Sequence, residues 1–166
     1  MAISVEDIKA LRELTGAGVI DCRSALTEAG GNLQKAQAIL REKGVAVAAK
    51  RAGREASQGL VEAYIHSGRI GALLELNCET DFVARTAKFR DLAHDLALQI
   101  ASMNPTCIAP QDLPAGAEGP PQDLALLAQP FIKDAKKTVQ DVINEVVAST
   151  GEKIVVRRFT RYELGA

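Results

Sequence analysis

Apolar residues change their period three times along this chain, and the changes divide it into parts. Between Val5 and Gly44 they recur at three- and four-residue intervals, the spacing of helices that bury one stripe. Val5, Ile8 and Leu11 form the first stripe, with Ser4 placed to cap it and Gly16 to end it. A second helix is predicted from about Val19 to Ala29, stopping at Gly30-Gly31. Asn32 is placed to cap a third, in which Leu33, Ala36, Ile39 and Leu40 share a face and Gly44 is the expected terminator. From Gly59 the period falls to two. Leu60, Glu62, Tyr64 and His66 alternate with Val61, Ala63 and Ile65. Ser67-Gly68 interrupts this run, and Ile70, Ala72, Leu74 and Leu76 resume it, which predicts a β-hairpin. Helical spacing returns from about Thr86 to Met103, with Phe89, Leu92, Ala93, Leu96 and Ile100 on one side. Another helix is predicted from about Ala135 to Ser149, burying Val139, Val142, Ile143, Val146 and Val147. Residues from Ile154 to Tyr162 alternate again and read as a last strand.

These elements predict an α+β protein. An N-terminal three-helix bundle spans 1–45 and resembles the ubiquitin-associated (UBA-like) type. A basic linker follows at 46–58, with Lys50, Arg51 and Arg54 expected to be solvated. The α+β core occupies 59–166, a three-stranded antiparallel sheet with helices packed on one face. Inside it, 104–127 carries Pro105, Pro110, Pro114, Pro120 and Pro121, a density that forbids a continuous helix and predicts an extended connection.

Composition narrows the function. The formal net charge is −1 and the chain has four phenylalanines, two tyrosines and no tryptophan. A nucleic-acid binder usually offers a basic surface and stacking rings, so direct nucleic-acid contact is not expected. Three cysteines, at 22, 78 and 107, form no close pair and fit a reducing, cytoplasmic setting. No early apolar run is long enough for a signal peptide or a membrane span.

Candidate chemistry is sparse. His66 falls on a predicted strand and His94 on a predicted helix, with no nucleophile placed beside either by the sequence. The cysteines lack zinc-site spacing. Gly16-Ala17-Gly18 follows a helix rather than a strand, so it is not a dinucleotide loop, and no Gly-Lys-Ser/Thr phosphate loop exists. No catalytic residue, metal or cofactor is expected. Any effect on a nucleotide would act through another protein's site.

The informative stretch is Asn77-Cys78-Glu79-Thr80-Asp81-Phe82-Val83-Ala84-Arg85, where a strand hands over to a helix. Thr80 or Asp81 is suited to cap that helix. Phe82, a large ring beside an acidic residue, either staples onto its own helix or is presented to a partner. This run resembles the Thr-Asp-Phe-Val signature of the elongation factor Ts family. So does Leu14-Thr15-Gly16-Ala17-Gly18-Val19-Ile20-Asp21-Cys22-Arg23-Ser24-Ala25-Leu26, and so do Gln129-Pro130-Phe131-Ile132-Lys133-Asp134 and Gly151-Glu152-Lys153-Ile154-Val155-Val156-Arg157-Arg158-Phe159, in the family's order. The resemblance implies a guanine-nucleotide exchange factor for elongation factor Tu that binds its GDP-bound and nucleotide-free forms. Thr80, Asp81, Phe82 and Val83 would then dislodge the partner's Mg²⁺, and Leu11, Val19 and Ile20 would dock. The family usually has methionines where Val19 and Ile20 stand, lysines at Arg23 and Ser24, a more polar pair at Thr86-Ala87, and asparagine at Lys153. Longer members carry a second sheet-bearing subdomain that has no counterpart after Pro114, so the chain resembles the short form, which implies a homodimer. Two rival readings are a UBA-type adaptor without exchange activity and a small enzyme built on Cys78.

Overall fold

The computed structural model describes residues 3–166. The chain forms two compact units, one of residues up to Gly53 with Asn144–Glu152, the other of Arg54–Ile143 with Lys153–Ala166.

In the first unit, α1 (Val5–Thr15), α2 (Val19–Glu28) and α3 (Leu33–Arg51) start where their sequences direct. Ser4 and Asp7 form a reciprocal capping box, and Gly16 closes α1 in the left-handed conformation with φ 65°. Asn32 caps α3 by accepting from Lys35 N–H at 2.9 Å. Leu11, Cys22, Ala25, Leu26 and Ala36 are fully buried at the centre, with Ile8, Leu33, Ile39 and Leu40 packed around them. One expectation fails here: α3 does not end at Gly44 but continues to Arg51. Gly44 stays helical because good helix formers follow it (Ala46, Ala48, Ala49, Lys50, Arg51). Its bare backbone also lies close to the Asn144 carbonyl, 3.4 Å from where a Cβ would stand. The first part of the expected linker is therefore helix, and Arg54 is not simply solvated, since its Nη1 donates to Glu79 at 3.0 Å.

The second unit holds a three-stranded antiparallel sheet in the order β1 (Gln58–His66), β2 (Ile70–Cys78), β5 (Ile154–Glu163). Ser67 and Gly68 both take positive φ, 51° and 66°, and Arg69 N–H donates to the His66 carbonyl at 2.9 Å. That is the twist-matched turn a hairpin prefers. At Gly59 a Cβ would stand 2.1 Å from the Leu76 carbonyl oxygen, so only glycine permits this approach of β1 to β2. Leu74, Leu76 and Cys78 are fully buried on one face. Helix α5 (Ala87–Met103) covers that face with Phe89, Ala93, Leu96 and Ile100. The other face leaves Val61, Ile65, Leu73 and Tyr162 largely exposed.

Two further expectations need correction. The stretch 104–127 is not an extended connection. It folds into a 3₁₀ turn at Pro110–Asp112 and a one-turn helix α6 (Pro121–Leu124), each with proline at its first position where no N–H is needed. Leu126 N–H donates to the Cys107 carbonyl and Leu127 N–H to the Ile108 carbonyl, both at 2.9 Å, so the loop is stitched shut. Below it Gln99 and Gln129 are fully buried and joined. Gln99 Nε2 donates to Gln129 Oε1 at 3.1 Å, while its Oε1 accepts Ile132 N–H at 2.7 Å. The last helix also starts later than its periodicity implies. Residues Asp134–Thr138 form β4, paired with β3 (Pro130–Phe131), and α7 occupies Val139–Thr150. Thr138 and Asp141 make its capping box: Asp141 N–H donates to Thr138 Oγ1 at 3.1 Å and Thr138 N–H to Asp141 Oδ2 at 2.9 Å. The sheet of three strands is as expected, with a small second ribbon beside it in the chain order.

Candidate partner-binding site

The site is built on a single helical turn, α4 (Asp81–Ala84), between β2 and α5. Thr80 caps it, accepting from Val83 N–H at 3.4 Å. It is not the start of the long helix, however. Thr86 is a second cap, accepting from Phe89 N–H at 3.3 Å and donating its hydroxyl to the Val83 carbonyl at 2.7 Å. Two threonines six residues apart therefore isolate one turn that would otherwise merge with α5. Cys78 Sγ donates to the Thr80 carbonyl at 3.1 Å from the buried end of β2, securing the approach to the turn.

Within this turn the side chains divide sharply. Val83 and Ala84 are buried and fasten it to the unit, whereas Phe82 is 82% exposed. A ring of that size in water forgoes roughly 1.5–3 kcal/mol of burial. It is not a staple on its own helix. Asp81 stands next to it and pairs with Arg85 at 2.8 Å, both side chains well exposed. Such a pair on a surface contributes only about 0.3–0.5 kcal/mol, so it holds Asp81 weakly.

The other expected contact residues lie in the first unit and behave differently from one another. Val19 and Ile20, in the first turn of α2, are 51% and 84% exposed. Leu11 is fully buried in the bundle core and offers a partner no surface. Leu14, an apolar side chain outside the first stripe, is exposed at the end of α1.

His66 shares a hydrogen bond with Tyr64 (3.2 Å) and His94 one with Glu62 (3.1 Å). Burial pushes the Cys22 and Cys107 thiols up from their ordinary pKa, which disfavours the thiolate a nucleophile needs. Among the described residues, no group of three or more His, Cys, Asp or Glu is arranged to hold a metal ion, and no helix is long and apolar enough to cross a membrane.

Known proteins resemble the chain over nearly its whole length. A family described as "Elongation factor TS" matches residues 7–118. Proteins named elongation factor Ts are 53% identical in Moorella thermoacetica, over 98% of this chain and 96% of the relative. The figure is 48% in Desulforamulus reducens, over 98% and 89%. In Rubrobacter xylanophilus it is 46%, over 99% and 100%. These alignments run to 194 or 195 positions against a chain of 166 residues, so the relatives carry residues with no counterpart here. The exposed Phe82 thus stands in a chain that, across both units, belongs to the elongation factor Ts family.

Proposed function

We propose that this chain is the guanine-nucleotide exchange factor for elongation factor Tu, promoting release of GDP and Mg²⁺ so that GTP can bind. Phe82 carries the reading: the ring is exposed on a turn whose neighbouring residues are fixed, within the family's signature. Insertion of Phe82 into the partner, with Asp81 disturbing the Mg²⁺-holding region, weakens the nucleotide's site. Thr80 and Val83 hold the turn in place. By linkage, a factor that weakens GDP binding is itself weakened by GDP to the same extent, so it binds the nucleotide-free partner more tightly than the GDP form. One ring supplies only about ten- to a hundredfold of that weakening. The remainder is assigned to the wider interface, including Val19 and Ile20. The setting is the cytoplasm.

Stopped-flow release of fluorescent GDP from elongation factor Tu tests the proposal. Added chain accelerates release, and an unchanged rate sinks the reading. A tethering adaptor predicts binding with no acceleration, so the same trace separates the two. Val19→Asp puts a charge where apolar contact is proposed and is expected to weaken partner affinity by roughly tenfold or more. Unchanged affinity in a titration would remove the helical unit from the interface.

The outer face of the sheet supports a homodimer. Val61, Ile65, Leu73 and Tyr162 are exposed there on three adjacent strands, an apolar surface suited to a second copy. Light scattering is expected to give the mass of two chains at micromolar concentration. A monomer with full exchange activity would remove this surface from the mechanism.

A further inference from the structure

The residue just before the signature turn, Glu79, gathers chain segments that lie far apart in sequence. Its Oε1 accepts the backbone N–H of Lys153 at 2.7 Å, and its Oε2 accepts Arg54 Nη1 at 3.0 Å. Lys153 Nζ in turn donates to the Arg54 carbonyl at 2.8 Å, closing a ring of three residues. Asn77, two residues before Glu79, adds a fourth link by donating to the Ala56 carbonyl at 3.2 Å. Arg54 and Lys153 are the first residues of the second unit after each of two crossings from the first. The Glu79 side chain is only 15% exposed, so this carboxylate is committed inward rather than offered to solvent.

We infer that Glu79 is a positioning residue for nucleotide exchange, fixing the base of the Asp81–Phe82 turn to the two places where the chain enters the sheet-bearing unit. The inference rests on the exchange reading above. Glu79 does not touch the partner; it acts through Thr80 and the turn that follows. The bond to Lys153 N–H is the stronger of the two, since it is short, charge-assisted and part-buried. Arg54 is half-exposed, so its ion pair is screened and contributes less.

The test compares Glu79→Ala, Glu79→Gln and wild-type full-length chains in the fluorescent-GDP assay, with hydrogen exchange of the free proteins alongside. Glu79→Ala is expected to lower the saturating exchange rate roughly tenfold while the half-saturating concentration moves less than about twofold. General destabilisation would instead reduce the folded fraction and leave the saturating rate per folded molecule intact. Glu79→Gln keeps an acceptor for Lys153 N–H and recovers most of the rate. In Glu79→Ala, amides of residues 80–85 and of Lys153 exchange faster than in wild type. A full saturating rate in folded Glu79→Ala overturns the inference, and so does wild-type protection across residues 80–85. If wild-type chain fails to accelerate GDP release, the exchange reading falls, and the hydrogen-exchange comparison still decides whether Glu79 anchors the turn.

Discussion

Phe82→Ala is expected to slow factor-stimulated GDP release from elongation factor Tu by roughly ten- to a hundredfold, the equilibrium worth of burying one aromatic ring. The same change leaves the chain's own stability within about 0.5 kcal/mol, because surface substitutions away from structural contacts usually have small effects. The ring is 82% exposed, so its own subunit loses almost nothing. These two outcomes together separate a presented side chain from a buried one. Stopped-flow rates and a thermal melt on one preparation measure both. A melt lowered in step with activity would mean that the ring supports its own fold, and wild-type exchange by the folded variant would refute the insertion.

Leu11→Ala should do the reverse. Leu11 is fully buried in a small core with Cys22, Ala25, Leu26 and Ala36, and of these four Leu26 alone is another large aliphatic side chain. Deleting a buried leucine to alanine costs about 2–5 kcal/mol, and a core this small has little else with which to offset it. The helical unit is therefore expected to lose amide protection over residues 5–51 while β1, β2 and α5 keep theirs. Hydrogen exchange read by mass spectrometry distinguishes the two. Uniform loss across both units would show that they unfold as one, and no loss would mean that the site can collapse around the cavity.

Local signals were legible wherever the partners are close in sequence. Ser4 and Asp7, Asn32 and Lys35, and the Ser67-Gly68 turn all lie within a few residues of what they bind, and spacing alone identifies them. Thr138 and Asp141 carry the same kind of signal, Thr-x-x-Asp, and that cap rather than the helical spacing of the apolar residues fixes the start of α7. Gly44 misled because glycine marks a helix end only when it turns left-handed; here packing and the alanines after it carry the helix onward. The loop at 104–127 was opaque for a different reason. Its order comes from Gln99 and Gln129, buried glutamines whose pairing across 30 residues no local pattern reveals. At the site, the motif located Phe82, but sequence could not tell a stapled ring from a presented one. The deciding fact is the exposure of the ring in the folded chain, which no local pattern reports. Glu79 lies inside the signature, but its anchoring contacts are not legible there, since its partners stand 25 and 74 residues away.

Because Thr80 and Thr86 close both ends of α4, the ring needs no loop to become ordered before it meets a partner. On the proposed insertion, little conformational search would accompany encounter, and association is expected to be governed by diffusion and orientation rather than by a slow rearrangement. An observed binding rate that rises linearly with concentration, without a plateau, is the kinetic mark of such a pre-shaped tip.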